Sequence, residues 1–279
     1  MKTINIKGEL FDLSQPVVMG ILNITPDSFF AGSRKQNEHE IITRVGEILA
    51  QGGEIVDIGA QSTRPSSTLL SAQEEIERLK FALGIINREF PDVILSVDTF
   101  YGDVARFSVE EHGVAIINDI SGGEMDKTMF GVAARLNVPY VLMHMRGTPQ
   151  TMKDLTDYNH LIQDIFYYFS QKVAELHLKG VNDIIIDPGF GFSKTMEQNY
   201  ELMASLRGFS VFDLPLLVGI SRKRMIYNLT GSTADEGLNG TAVLNTFALQ
   251  NGADILRVHD VKEAVEAVKI VSKLKEYDF

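Results

Sequence analysis

The sequence predicts an α/β protein of the (β/α)8 or TIM-barrel class, preceded by a short β-hairpin. Three observations carry that reading. Eight short apolar runs alternate with eight helical patterns. The chain has 279 residues, slightly more than the roughly 250 typical of such a barrel. Nearly every apolar run ends in polar residues on its C-terminal side, the side on which barrel enzymes build their sites.

Taken in order, residues 3–12 alternate around Lys7-Gly8 and read as the hairpin. The apolar runs are residues 17–22, 55–58, 93–97, 115–117, 140–143, 184–186, 214–218 and 255–258. Runs this short and apolar fit strands buried on both faces of a parallel sheet. Helical patterns cover 41–50, 72–88, 103–111, 127–136, 161–179, 196–206, 240–250 and 262–275. The last is apolar at Ala264, Val265, Val268, Val271 and Leu274, spaced for one helix face. A doubly wound open sheet is the rival arrangement, but eight strands favour closure. No low-complexity linker interrupts the pattern, so residues 1–279 read as a single domain.

Composition narrows the function. With 44% hydrophobic and 23% charged residues, a soluble globular protein is expected. Net charge is −11, which argues against a nucleic-acid or anionic-membrane surface. Any anionic substrate must therefore meet a local basic cluster. Cysteine is absent, so disulfides, thiol chemistry and zinc–thiolate sites are excluded, and a reducing cytoplasm fits. Neither a signal peptide nor a membrane span is legible.

The strand ends hold the candidate chemistry. The runs lead in turn to Asn23, Asp57, Asp98-Thr99, Asn118-Asp119, His144 and Asp187. The seventh precedes Ser221-Arg222-Lys223-Arg224, and the eighth carries Arg257 and His259. Asp187 is the sharpest case, because Ile184-Ile185-Ile186 precede it and Pro188-Gly189 stop the strand. An acid at a buried strand tip needs a partner, either protein or ligand. Plainer readings stand beside these. Asp57 could be a loop anchor, Asp119 could cap the turn at Ser121-Gly122-Gly123, and His144 reads as a satisfied core histidine. Three cations at a helix start oppose its dipole, which favours a functional role for at least one.

Long loops follow the first two strands, Asn23-Ile-Thr-Pro-Asp-Ser-Phe-Phe-Ala-Gly-Ser and Gly59-Ala-Gln-Ser-Thr-Arg-Pro-Ser-Ser-Thr. Both are rich in small polar residues, as binding loops on a barrel mouth tend to be. Neither matches a nucleotide phosphate cradle, and no H-E-x-x-H, paired-Cys or G-x-S-x-G motif occurs.

Met19-Gly-Ile-Leu-Asn-Ile-Thr-Pro-Asp-Ser-Phe29 and Ile55-Val-Asp-Ile-Gly-Ala-Gln-Ser-Thr-Arg-Pro65 resemble the two signature segments of the dihydropteroate synthase family. Asp98, Asn118-Asp119, Met143-His-Met145, Asp187-Pro-Gly-Phe-Gly-Phe192, Ser221-Arg-Lys223 and Arg257-Val-His259 follow in that family's order. The resemblance spans residues 4–276. Departures fall in the loops: Ala31-Gly32-Ser33, Gly59-Ala60-Gln61 and Ser66 stand where Asp-Gly-Gly, Gly-Gly-Glu and glycine are usual.

The resemblance implies a barrel enzyme of folate synthesis, commonly homodimeric and a target of sulfonamides. In that family 6-hydroxymethyl-7,8-dihydropterin diphosphate loses diphosphate, and the amine of 4-aminobenzoate attacks the methylene carbon. Mg²⁺ assists. It also implies roles. Asp187 would hold the pterin's paired N–H donors, with Asp98, Asn118 and Lys223 on the remaining ring atoms and Met143 and Phe192 as apolar walls. Asn23, Arg64, Arg257 and His259 would face the diphosphate, Asn23 also meeting the metal. Phe29, Thr63, Pro65 and Ser221 would form the 4-aminobenzoate pocket. Asp98, Lys223, Arg257 and His259 are the expected catalytic set. Rival readings are a methyltetrahydrofolate-dependent methyltransferase domain and a catalytically inactive pterin-binding paralogue.

Overall fold

The chain enters through the expected hairpin, β1 (Thr3–Ile6) and β2 (Glu9–Asp12), paired antiparallel. Lys7 and Gly8 both take positive φ, 54° and 92°, which matches the twist of a tight two-residue turn. The computed structural model describes residues 2–24, 34–61 and 69–277.

Strands and helices then alternate: β3 (Val17–Asn23), α1 (Arg34–Ala50), β4 (Ile55–Gly59), α2 (Ala72–Glu89), β5 (Ile94–Asp98), α3 (Gly102–His112), β6 (Ile116–Asp119) and α4 (Met129–Leu136). After them come β7 (Tyr140–Met143), α5 (Leu161–Leu178), β8 (Ile184–Asp187), α6 (Met196–Ala204) and β9 (Leu217–Val218). The chain ends with α7 (Arg224–Thr230), α8 (Leu238–Gln250), β10 (Ile255–Val258) and α9 (Val261–Lys275). The eight strands β3 to β10 are parallel and run in the order β8-β7-β6-β5-β4-β3-β10-β9. A parallel bridge between Ile186 and Leu216 brings the two ends of the sheet together. The predicted barrel class is therefore the observed one. No helix among the described residues is long and apolar enough to cross a membrane.

Strand residues alternate between the barrel interior and the helical layer, and this parity decides which strand tips can share a site. Met19, Ile55, Ile116, Val141, Ile185, Leu217 and Ile255 form one inner cluster with Ile4, Ile6 and Leu13 of the hairpin region. The hairpin thus closes the N-terminal mouth. The intervening residues, such as Val56, Val97, Ile117, Leu142, Ile186 and Val258, pack against the helices. Ile184, Ile185 and Ile186 are all fully buried, each contributing about 1.5–3 kcal/mol. One step of two residues beyond the inner cluster stand Asp57, Asn118, Met143, Asp187 and Arg257, on five different strands.

Several boundaries differ from the sequence reading. α1 starts at Arg34 rather than residue 41, and β6 runs on to Asp119. The run at 214–218 keeps only Leu217–Val218 as a strand. Helix α6 ends at Ala204 and hands over to a 3₁₀ stretch, Leu206–Phe212. Helix α4 begins at Met129 because the Asp126 carboxylate takes the Thr128 N–H and hydroxyl, holding the preceding turn. The short helix α7 escapes periodicity, which is weak over seven residues, although its start falls at the expected cations, with Lys223 as N-cap.

Candidate active site

Arg257 crosses the barrel mouth. Its Nε donates to Asp57 Oδ2 at 2.6 Å and its Nη2 to Asp98 Oδ2 at 2.7 Å. Asn118 Nδ2 donates to the same Asp57 oxygen at 3.0 Å. Asp57 is fully buried, and a buried carboxylate requires such compensation. Asp57 is therefore no loop anchor: it holds Arg257 and Asn118. Two carboxylates share one guanidinium here. Burial pushes Asp98 up to about 7 against the pull of Arg257, and Asp57 adds to the rise. Burial works against the Arg257 charge, but Asp57 and Asp98 outweigh it and raise its pKa.

On the facing side, Asp187 Oδ1 accepts the Gly189 N–H at 2.8 Å. Burial raises Asp187, and Lys223 opposes the rise. Lys223 donates to the Phe190 carbonyl and stands 4.8 Å from the centre of the Phe192 ring. Its own pKa falls to about 8 because it is buried, with Asp187 pulling it back up. The β8–α6 turn tolerates only glycine at 189. Its φ is +73°, and a Cβ there would lie 2.0 Å from the His144 carbonyl oxygen. Met143 belongs to an apolar cluster with Phe100, Ile120, Met145 and Met152, against which Phe192 packs.

The rim completes the site. A cavity of about 770 Å³ is lined by Asn23, Asp98, Phe192, Ser221, Lys223, Arg257 and His259 among others. That volume suits a ligand of drug size. Ser221 Oγ accepts the His259 N–H at 3.2 Å. Burial lowers His259 to about 4, helped by Arg257 and Arg44. At neutral pH its imidazole is therefore an uncharged hydrogen-bonding group rather than a cation.

Parity sorts the remaining candidates. Asp119 points outward: its carboxylate takes the N–H groups of Ser121 and Gly123 and the Tyr140 hydroxyl. The turn-capping reading holds. His144 packs among Tyr158, Tyr168 and Phe169 outside the barrel wall, as expected of a core histidine. Arg222 forks onto Asp260 and reaches the Ala234 carbonyl, so of the three cations it serves the scaffold. Asn118 has one amide N–H engaged by Asp57, which leaves fewer donors for a ligand than the sequence alone implied. Phe29, Thr63, Arg64 and Pro65 lie outside the described residues. Sequence reasoning underweighted Asp57, whose two-residue spacing from Ile55 was a usable signal. Lys194, which also lines the cavity, carried no signal at all.

Comparison with known proteins supplies the family. Residues 19–259 match the model of the pterin binding enzyme family. The chain is 39% identical over 267 residues to the dihydropteroate synthase of Escherichia coli (strain K12), covering 95% of this chain and 94% of that one. A Yersinia pestis dihydropteroate synthase solved with a sulfonamide drug complex superposes with a TM-score of 0.90 at 37% identity, covering 99% of this chain and 100% of that one. A Xanthomonas albilineans dihydropteroate synthase solved with 4-aminobenzoic acid gives a TM-score of 0.88 at 32% identity, covering 99% of each chain. Given a barrel with five inward strand tips converging on one mouth and these likenesses over nearly its whole length, the chain belongs to the dihydropteroate synthase family of pterin-binding enzymes.

Proposed function

We propose that the chain condenses 6-hydroxymethyl-7,8-dihydropterin diphosphate with 4-aminobenzoate, giving 7,8-dihydropteroate and diphosphate. The observation that carries this reading is the presence of two coupled charge systems at one mouth. Asp187 with Lys223 forms one, and Arg257 with Asp57 and Asp98 the other. A pterin's 2-amino group and N3–H are parallel donors that suit the Asp187 carboxylate. Lys223 donates to the ring carbonyl, while Met143 and Phe192 flank the flat ring. In the reaction the C–O bond to diphosphate breaks, the arylamine nitrogen bonds to the methylene carbon, and the nitrogen loses a proton to solvent. Positive charge grows on the pterin as diphosphate leaves, and carboxylate charge on Asp98 favours that change. When Asp98 turns to the ring, Arg257 loses one of its two carboxylates and gains freedom to meet the departing anion. His259 adds a neutral donor beside it. Of the four residues proposed for the 4-aminobenzoate pocket, Ser221 lies in the described part of the chain and lines the cavity. A methyltransferase domain would have no need of this diphosphate corner, and the relatives named above favour the synthase.

Mg²⁺ is part of the proposal. No cluster of three or more His, Cys, Asp or Glu side chains suited to a metal occurs among the described residues. The exposed Asn23 lies at the cavity edge beside Arg257 and His259. A lone amide oxygen there fits an ion that arrives with phosphate oxygens and keeps most of its waters. Mg²⁺ bound there would offset charge on the leaving diphosphate. For Asn23→Ala, the Mg²⁺ concentration giving half-maximal rate should rise about tenfold, the scale of a lost contact of about 1.4 kcal/mol. An equal loss at all Mg²⁺ concentrations would remove Asn23 as a ligand.

Homodimerisation is a further part. Val243 and Phe247 on α8, Ile270 and Leu274 on α9, and Leu229 on α7 are exposed. Helices α8 and α9 pack together, so their apolar residues sit on neighbouring elements, as at a buried interface. A cysteine-free chain suits the cytoplasm, which is the location this reading expects.

The direct test is release of diphosphate by the purified protein with Mg²⁺, with and without 4-aminobenzoate. Dihydropteroate should form in step with diphosphate. No product at saturating substrates would overturn the reading.

A further inference from the structure

Lys194 is buried in the cavity wall and takes no part in the chemistry above. Its Nζ lies 3.0 Å from His144 Nδ1, 3.0 Å from the Gly189 carbonyl oxygen and 3.0 Å from the Phe192 carbonyl oxygen. Burial holds His144 well below the usual histidine range. The imidazole is thus neutral and can accept a hydrogen bond at Nδ1. An ammonium has three N–H donors and no acceptor. Those three acceptors lie at 3.0 Å, with the His144 carbonyl oxygen a fourth at 3.5 Å, so every N–H has a partner.

Each carbonyl at 3.0 Å in this cage of acceptors belongs to a residue tied to the pterin face. Gly189 also supplies the N–H that orients Asp187. Phe192 presents its ring beside Lys223. The same turn is gripped from elsewhere, since Lys223 takes the Phe190 carbonyl and Asn199 Oδ1 accepts the Gly191 N–H at 2.7 Å. Lysine side chains therefore hold the carbonyls of 189, 190 and 192. Burying an ammonium carries a desolvation penalty of several kcal/mol, so this is a demanding way to fasten a turn. The penalty lowers Lys194 to about 7, with Asp187 opposing it and Lys223 and Arg146 adding to it.

We propose that Lys194 is a positioning residue for the pterin, shaping the β8–α6 turn so that Asp187 and Phe192 meet the ring together. The proposal rests on the pterin reading of this site. It assigns Lys194 no contact with substrate and no proton transfer. Loosening the cage should weaken the pterin half of the reaction and spare the other half.

The test compares the unaltered protein with Lys194→Met and Lys194→Gln, the latter keeping an N–H donor. In Lys194→Met, KM for the pterin diphosphate and Kd for free 6-hydroxymethylpterin should both rise at least tenfold. KM for 4-aminobenzoate and the affinity for inorganic diphosphate should stay within twofold. Lys194→Gln should recover part of the pterin affinity. Unchanged pterin affinity in either folded variant, or an equal loss for all ligands, would overturn the proposal. A measurement on the unaltered protein does not depend on variants folding. The Lys194 Nζ resonance should shift when free pterin is added, and a resonance that ignores the pterin would overturn the proposal too. If the unaltered protein bound no pterin and made no product, the function reading would fail first, which separates the two.

Discussion

Asp187→Ala should lower pterin affinity by roughly 30-fold to several thousand-fold, the range given by the 2–5 kcal/mol lost when one partner of a buried charged hydrogen bond is removed. Two effects act together. The paired pterin donors lose their acceptor at a buried strand tip. Lys223 also loses the carboxylate that keeps its pKa near 8, so it drops further and becomes less charged at neutral pH. The fold should survive. Burial raises the Asp187 pKa in the folded chain, so its charge is a burden on folding at neutral pH, and removing it relieves that burden. Titration with free 6-hydroxymethylpterin, alongside a melting curve, checks both halves. Unchanged pterin affinity in the folded variant would sink the assignment of Asp187.

Arg257→Ala should be damaging in a different way. It strands Asp57, fully buried, and Asp98 without their shared cation. Removing one partner of a buried pair costs about 3–5 kcal/mol, and a large drop in melting temperature is expected. The pH dependence has a definite sign. Without Arg257, Asp98 keeps a folded pKa raised above its unfolded value, since it already stands near 7 in the intact bridge. Stability from such groups is present below the unfolded value near 4 and is lost as pH rises through the folded value. The variant should therefore be most defective from neutral pH upward and recover toward pH 5. Adding Asp57→Asn should restore part of the stability and none of the activity. Affinity for the diphosphate-bearing substrate should also fall more than affinity for free pterin. A variant that melts like the parent at pH 8 would mean that the Arg257 bridge contributes little to the fold. Equal losses for the two ligands would remove Arg257 from the diphosphate.

Legibility followed physical range. The hairpin was readable because Lys7-Gly8 sits between two alternating segments and turn chemistry is local. Strand identity was readable where apolar runs were dense, as at Ile184-Ile185-Ile186, and poor at 214–218, where only Leu217–Val218 pairs as a strand. Helix α7 is too short for periodicity to register. Polar strand tips were readable as a set, since each follows its own run. Their sorting was less so. Asn118 and Asp119 are adjacent, as are Met143 and His144, and each pair splits between the two faces of the wall. Period-two alternation could have divided them once an inner residue on each strand was known.

The sequence by itself determined the barrel, the ring of polar strand ends and the resemblance to one family, because these depend on local pattern and motif order. Only the tertiary structure decided which charges compensate each other. Arg257 meets Asp57 across 200 positions of chain and Asp98 across 159, while Lys194 meets His144 across 50. Spacing in sequence carries no distance at such separations. The Arg257 pairings arise when β10 closes beside β3 and the strand register lifts one layer of side chains to the mouth. That closure sets Asp98, Lys223 and Arg257 around one cavity, while Asp57 and Asp187 stay buried outside its lining.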